Sequence, residues 1–202
     1  VLKIFSGLCA PLVRDCDGNY LCWVKRREAK FLQQQTGMIE RKRPEELTIS
    51  CGNGRKLIFN NKQKSKVDFV EHRALGLDPS RRYLIVDRYL GGESAAYDLV
   101  DMLSCEQTKL KTEPDWSPDG QFYAQMDADP INAGSYYAEI AFCPRARTEK
   151  CKTILALGKE FGGEHAIWKS KDEVRLIVRD VLGKWDFFET TCKCTPEKCA
   201  CK

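Results

Sequence analysis

The sequence predicts an all-β, mainly antiparallel protein with little helix, stabilised by disulfides. Short strand-like segments alternate with turn sequences along the chain, and eleven of the 202 residues are cysteines. Regularly spaced short strands favour a β-sandwich or a propeller-like stack of sheets. Residues 1–202 are predicted to form one domain, with residues 192–202 as a cysteine-rich C-terminal hairpin or tail.

Ten segments show the alternation or the continuous β-rich run that is typical of strands. Turn-forming sequences separate them, among them Gly52-Asn53-Gly54, Asp78-Pro79-Ser80 and Ser117-Pro118-Asp119-Gly120. Helix is predicted at residues 28–35. Residues 93–103 fit both the helical spacing and the alternation of a strand, and they are predicted as a strand. The ten strand segments are residues 20–25, 47–51, 56–59, 67–71, 83–88, 121–126, 136–142, 153–157, 174–178 and 185–190.

Composition and charge are ordinary for a globular protein. Hydrophobic residues make up 43% and charged residues 31% of the chain, so the apolar content is sufficient for a core. The net charge is +4, and the basic clusters at residues 25–27 and 41–43 are interpreted as solvated faces. Nucleic-acid binding normally needs a denser positive stripe, so no nucleic-acid partner is expected. No apolar run reaches the length of a membrane-spanning helix, so no transmembrane segment is expected.

The cysteines predict an oxidising compartment, because a reducing cytosol rarely tolerates so many thiols that hold no metal. Cys16 and Cys22 flank a turn-prone segment, and Cys143 and Cys151 flank a polar one, so each pair is predicted to close a short surface loop. Because the total is odd, at least one cysteine has no partner within the chain, and Cys9 is the candidate.

Four further cysteines form a symmetric pattern at the C-terminus. Cys192 and Cys194 precede a turn that contains Pro196, and Cys199 and Cys201 follow it. In a hairpin Cys194 would lie opposite Cys199 and Cys192 opposite Cys201, with all four on one face. Two disulfides are the favoured interpretation, although spacing does not fix the connectivity. The alternative is a zinc site of four thiolates, for which the spacing within each pair is shorter than usual.

The centre of the chain carries a resemblance to known proteins. Residues 83–89 and 94–101 are strand-like, and residues 114–124 contain Trp116-Ser117-Pro118-Asp119-Gly120 followed by a strand. This order resembles the blade pattern of TolB-like and WD40-like propeller repeats. It is also similar to a group of exported bacterial proteins in which one such unit precedes an Asp-rich loop, here residues 127–135. The resemblance implies a propeller-type unit and bacterial export, while the aspartate and glycine serve the turn itself.

A serine hydrolase is one alternative hypothesis. Residues 92–96, Gly-Glu-Ser-Ala-Ala, are a degraded form of the nucleophile elbow of α/β-hydrolases. The order Ser94, then Asp127 or Asp129, then His165 would match the triad of that fold. However, the chain lacks the alternating helices which that fold requires, so Ser94 and His165 are interpreted as turn or strand residues.

The polar segment that follows the central unit offers candidate binding residues. Asp127, Asp129 and Asn132 supply oxygen ligands, but their spacing does not match a calcium loop, so no metal or cofactor is expected. Trp116 is a fourth candidate. A tryptophan beside a strand usually packs against a sheet face, whereas exposed tryptophans mark a partner surface.

These observations predict a non-enzymatic exported protein, periplasmic or secreted, that binds another protein. No nucleophile, base and orienting acid converge in the sequence, and disulfides fix loops at low entropic cost on binding. An inhibitor or immunity protein that blocks a toxin or hydrolase in the same compartment is one version. The alternatives are the serine hydrolase that uses Ser94 and a metal-binding module that uses the C-terminal cysteines.

Overall fold

The computed structural model describes residues 20–35, 37–63, 69–90, 93–127, 137–144, 151–158, 161–180 and 186–202. These residues form one helix and sixteen strands, which divide between two compact units. The first unit comprises Val1–Gly76 and Leu84–Thr108, and the second comprises Leu77–Tyr83 and Lys109–Lys202. A single domain over residues 1–202 stays a prediction.

Helix α1 spans Tyr20–Gln33 and belongs to the first unit. It is rich in good helix formers, and Lys30 in its last turn interacts favourably with the helix dipole. Val24 and Glu28 are four residues apart, so they share one helix face, and both are buried. The predicted strand at residues 20–25 is therefore wrong. These residues form a helix because burial of one helix face, rather than strand alternation, determines their structure. The predicted helix at residues 28–35 is confirmed as far as Gln33.

The carboxylate of Glu28, whose residue is 3% exposed, joins α1 to two strands of the first unit. Its Oε1 accepts hydrogen bonds from Arg41 Nη2 at 2.6 Å and from the Ala74 backbone N–H at 2.9 Å. Its Oε2 accepts hydrogen bonds from Arg41 Nε and from Arg73 Nη1, both at 3.1 Å. Two guanidinium groups and one backbone donor therefore compensate the buried charge.

The two basic clusters are not simply solvated faces, which corrects the interpretation from sequence. Arg41 binds the buried Glu28 carboxylate, and Arg27 donates from Nε to the Leu75 carbonyl oxygen at 3.1 Å. The Arg27 guanidinium also lies over the Trp23 ring at 5.2 Å. One arginine of each cluster therefore holds the first unit together.

A three-stranded sheet of the first unit follows the helix. Its strands are β1 (Ile39–Arg43), β2 (Glu46–Ser50) and β3 (Lys56–Asn60), in the order β1-β2-β3. Leu47 and Ile49 alternate along β2 and are fully buried on the same side. Cys51, directly after β2, forms a disulfide with Cys105 across a Cα–Cα distance of 5.6 Å. The sequence analysis did not predict this pair.

A five-stranded sheet lies almost entirely in the first unit and follows chain order. Its strands are β4 (Lys62–Gln63), β5 (Phe69–Leu77), β6 (Tyr83–Leu90), β7 (Glu93–Asp101) and β8 (Gln107–Leu110). Leu84 and Val86 on one face of β6 and Tyr83 and Ile85 on the other are all buried, so the continuous apolar run of β6 reflects burial on both faces. The predicted strand at residues 93–103 is confirmed as β7.

Two four-stranded sheets form the second unit. The first runs in the order β12-β11-β10-β9 and consists of β9 (Asp115–Trp116), β10 (Phe122–Asp127), β11 (Tyr137–Phe142) and β12 (Lys152–Ala156). The second follows chain order and consists of β13 (Phe161–Trp168), β14 (Glu173–Asp180), β15 (Phe187–Cys194) and β16 (Cys199–Cys201).

Both sheets of the second unit contribute to one hydrophobic cluster. Val174, Leu176 and Val178 alternate along β14 and turn one face of that strand inward. The other buried members come from β10 and β11 of the first sheet and from β15 of the second: Phe122, Ala124, Ala138, Ile140, Cys192 and Cys194. Two cysteine side chains are therefore part of the apolar core.

The last two strands form the C-terminal ribbon, which we define as residues 192–201. Cys192 pairs with Cys201 and Cys194 with Cys199 in the strand register, and each pair forms a disulfide with a Cα–Cα distance of 4.0 Å. This is the cross-strand arrangement that the hairpin pattern predicts.

The remaining cysteines also favour the oxidised state. Cys143 and Cys151 form a disulfide with a Cα–Cα distance of 4.1 Å. Cys22 is disulfide-bonded, whereas Cys9 and Cys16 lie outside the described residues. Disulfides in this number are typical of a protein from an oxidising, extracellular environment.

The all-β, disulfide-stabilised fold with little helix is confirmed. All four sheets are antiparallel, and neighbouring strands in each sheet are consecutive along the chain, so the sheets are meanders. The sequence analysis missed several strands, among them β1, β8 and β13. In the described part of the chain, no helix has the length and apolar character to cross a membrane.

We expect Glu28→Gln to destabilise the first unit by about 3 kcal/mol or more, because removing one partner of a buried ion pair leaves the arginines uncompensated. The matched control is Glu40→Gln on β1, where the glutamate is exposed and a change within about 0.5 kcal/mol is expected. Urea unfolding measures both free energies. Equal effects of the two variants would contradict the anchoring role of Glu28.

Candidate functional site

The site begins with the turn between β5 and β6, which lies in the second unit. Asp78 is 2% exposed, and its Oδ1 accepts a hydrogen bond from the Tyr83 backbone N–H at 2.6 Å. Its Oδ2 accepts hydrogen bonds from the Ser80 backbone N–H at 2.8 Å and from the Ser80 hydroxyl. The Arg81 N–H donates to the Asp78 carbonyl oxygen at 2.9 Å, and Arg81 adopts a φ of +60°. A buried carboxylate therefore holds the whole turn.

The turn between β9 and β10 repeats this scheme with other residues. Ser117 is fully buried, and its Oγ accepts the Phe122 backbone N–H at 3.0 Å, five residues further on, as Asp78 accepts that of Tyr83. The Ser117 hydroxyl in turn donates to Asp119 Oδ1 at 2.9 Å. The Gly120 N–H donates to the Ser117 carbonyl oxygen at 3.0 Å, and Gly120 has a φ of +69°. Asp119 and Gly120 serve the turn itself, so that prediction is confirmed.

The two turns contact each other at Gly120. A Cβ on Gly120 would lie 2.6 Å from Asp78 Oδ2 and 2.9 Å from the Ser80 backbone nitrogen. Glycine is required here for two independent reasons, the positive φ and the close approach of the opposite turn. The carboxylate that organises one turn thus also fixes the distance to the next.

An aromatic cluster lies beside the turns. The rings of Tyr83 and Trp116 stack with centroids 5.8 Å apart, and Trp116 meets Tyr123 edge-on at 5.0 Å. Burial is the main factor that raises the pKa of Tyr123 to about 12, and the nearby Glu139 and Tyr83 add to it. Tyr123 is therefore a neutral phenol at physiological pH.

Arg82 connects the aromatic cluster to a disulfide-closed segment. Its guanidinium lies 4.9 Å from the Tyr83 ring centroid, and its Nη1 donates to the Pro144 carbonyl oxygen at 2.6 Å. Pro144 follows Cys143, which the disulfide to Cys151 holds in place. The arginine is thus positioned by both a ring face and a backbone acceptor.

These parts surround an open groove of about 440 Å³ within the second unit. The groove combines a cation, an aromatic ring, two prolines and polar turn atoms in one concave surface, a composition suited to recognition of another molecule. We call it the turn groove. Its lining residues are Pro79, Ser80, Arg82, Tyr83, Asp119, Gly120, Cys143 and Pro144.

Asp115, on β9, carries a perturbed carboxyl group near the aromatic cluster. Burial of the carboxyl group, followed by repulsion from Glu113, raises the pKa of Asp115 from 3.8 to about 6. The residue as a whole is exposed, so water reaches part of it and weakens the energetic effect of this environment. The Asp115 carbonyl oxygen accepts a hydrogen bond from Trp168 Nε1 at 2.9 Å, which joins β9 to β13.

Of the four predicted binding residues, the structure describes Trp116 and Asp127. Trp116 is half-buried between two tyrosine rings beside the turn groove. Asp127 ends β10, while Asp129 and Asn132 lie outside the described residues. Their binding role stays a prediction.

The two candidate catalytic residues lie on different strands, and the four C-terminal cysteines lie in the ribbon. Ser94 lies on β7 in the first unit, and the exposed His165 lies on β13 in the second. The part of the chain that the structure describes contains no group of three or more metal-ligating side chains. Within the C-terminal ribbon, the sulfur atoms of Cys192, Cys194, Cys199 and Cys201 are bonded to each other in pairs.

The sequence analysis missed the residues that shape the groove. Asp78 and Arg82 belong to one turn, but Pro144 lies 62 residues after Arg82, and no spacing rule joins it to that turn. The signal that was present is the shared pattern of a short polar residue followed by proline at Asp78-Pro79 and Ser117-Pro118. Comparison with protein-family models and with curated proteins finds no match.

Gly120→Ala tests the contact between the two turns. We expect the positive φ to cost about 1–2 kcal/mol and the clash with Asp78 and Ser80 to add about 1–3 kcal/mol. Gly54→Ala is the matched control, since Gly54 has a φ of +81° at the same turn position but nothing within 4 Å of its Cβ. Denaturant unfolding should show a larger loss for Gly120→Ala, and equal losses would disprove the contact.

Asp115→Asn tests the perturbed carboxyl group. A raised pKa means that the folded state favours the protonated form, so stability falls as the pH rises from 3.8 to about 6. We therefore expect the variant to melt at a higher temperature than the wild type at pH 8 and at nearly the same temperature at about pH 4. Glu113→Gln should reproduce a smaller part of this gain, because burial is the larger cause. If the variant and the wild type differed in melting temperature by the same amount at pH 8 and at about pH 4, the raised pKa of Asp115 would be refuted.

Proposed function

We propose that the chain is a non-enzymatic exported protein that binds another protein through the turn groove. The observation that carries the proposal is Arg82, which lies over the Tyr83 ring and donates to Pro144, all three residues lining the groove. Arginine and tyrosine are two of the residues that dominate binding energy at protein interfaces. A carboxylate or carbonyl of the partner would meet the guanidinium, and an apolar side chain would pack against the proline and tyrosine surfaces.

Rigidity of the groove supports this proposal. The polar side chains of the two turns are already hydrogen-bonded within the turns, and Gly120 holds the turns at contact distance. A disulfide fixes Cys143 at the third side. Little ordering would therefore remain for a partner to impose on binding, which favours affinity.

The more specific form of the proposal is a periplasmic or secreted bacterial protein. The disulfides favour an oxidising compartment, and the order of strands around Trp116-Ser117-Pro118-Asp119-Gly120 resembles exported proteins with a TolB-like or WD40-like unit. An inhibitor or immunity protein against a toxin or hydrolase would use such a preformed groove to hold a loop of its target.

A photo-reactive phenylalanine at position 79, on the groove rim, tests this function. After irradiation in the extracytosolic fraction of the source organism, we expect it to cross-link one discrete protein. The same probe at Glu197, an exposed residue of the turn in the C-terminal ribbon, should not capture that protein. Equal capture from both positions would contradict recognition through the groove.

Arg82→Ala supplies the quantitative arm of this experiment. Loss of an interface arginine should weaken binding of the captured protein by roughly tenfold or more. Arg55→Ala is the control, because Arg55 is exposed in the β2–β3 turn of the first unit. Calorimetry with purified partner measures both affinities, and circular dichroism verifies that both variants are folded. Similar affinities for the two variants would rule out the groove as the binding site.

A further inference from the structure

The described disulfides differ in how easily a dissolved thiol can reach them. Cys51 and Cys105 are both buried, with exposures of 7% and 3%. In the C-terminal ribbon, Cys201 is exposed and Cys199 is half-buried. A thiolate must approach one sulfur of a disulfide directly, so the ribbon offers the better point of attack.

The opposite sulfur atoms of the ribbon face the core. Cys192 is 0% exposed and Cys194 is 3% exposed, and both belong to the hydrophobic cluster of the second unit. Cys192 lies directly across from Val174 in the strand register. Each ribbon disulfide therefore joins a cysteine of the core to a less buried one: Cys201 is exposed, and Cys199 is half-buried and packs against the cluster.

We propose that the ribbon is a thiol-exchange site and acts as a redox-sensitive clasp on the core of the second unit. The reductant is a dithiol, small or carried by an oxidoreductase. Its thiolate attacks Cys201 Sγ, the bond between the two sulfurs breaks, and Cys192 leaves as a thiolate that takes up a proton. The second thiol of the reductant then closes on the mixed disulfide and releases the Cys201 thiol. Two electrons reduce the cysteine pair, and the dithiol is oxidised to a disulfide.

Opening both ribbon disulfides removes the covalent attachment of β16 to β15, whereas opening Cys192–Cys201 alone frees only the end of β16. With both disulfides open, the short strand is held by backbone hydrogen bonds, among them those of Thr191 with Lys202 and of Thr195 with Lys198. A three-residue edge strand is weak without cross-links. The buried thiols of Cys192 and Cys194 would lose their cover, so the redox state of the ribbon affects core packing.

The order of reduction tests this proposal in the wild-type protein. We treat native protein with limiting dithiothreitol, trap free thiols with an alkylating reagent at successive times and map the labels by mass spectrometry. Cys192 and Cys201 should be labelled faster than Cys51 and Cys105, on the order of tenfold or more. Equal rates for the two pairs, or opening of Cys143–Cys151 before the ribbon, would overturn the proposal.

A second measurement tests the link to the core. The double variant Cys192→Ser with Cys201→Ser should shift the near-ultraviolet circular dichroism of the aromatic residues in the same direction as brief reduction of the wild type. Trp168 reports on this region because its ring lies 6.0 Å from that of Phe122 in the cluster. Selective reduction of the ribbon with no change in this spectrum would show that the ribbon does not act on the core.

Discussion

The hydrogen bonds of one buried carboxylate, that of Asp78, determine the geometry of the candidate site. Its two oxygens accept hydrogen bonds from Ser80 and from the Tyr83 backbone, so the buried carboxylate is satisfied within its own turn. Because the Tyr83 backbone is fixed, its ring and the adjacent Arg82 are directed to the groove. The same Oδ2 sets the space that Gly120 must leave open. Asp78 thus orders its own turn and leaves room only for a glycine where the β9–β10 turn approaches it.

Glu28 shows a different use of a buried carboxylate. Asp78 receives local donors from its own turn, whereas Glu28 on α1 receives donors from Arg41 on β1 and from β5. The Asp78 carboxylate, bonded to donors of its own turn, sets the shape of that turn. The Glu28 carboxylate, bonded to donors of β1 and β5, holds helix α1 against these strands. Replacing such a buried ion pair by apolar residues can be neutral in stability, whereas removing only Glu28 leaves two partly buried arginines without their carboxylate.

Local patterns predicted local structure well. The turn chemistry at residues 117–120 and the cross-strand order of the ribbon cysteines follow from short-range geometry, and both agree with the structure. Helix α1 was predicted in part, because residues 20–25 satisfy strand and helix patterns alike and the burial of Val24 decides between them. The Cys51–Cys105 disulfide and the contact of Arg82 with Pro144 join residues more than fifty positions apart, which no periodicity encodes.

Phe122 joins the turn between β9 and β10 to the core of the second unit. Its backbone N–H closes the turn by donating to Ser117 Oγ, and its ring lies in the hydrophobic cluster that contains Cys192 and Cys194. The tight packing of protein interiors transmits a change at one member of a cluster to its neighbours. Stability of the turn therefore depends on the same packing that the C-terminal ribbon completes. Through Phe122, the cysteines of the ribbon and the turn that borders the groove share one packed cluster.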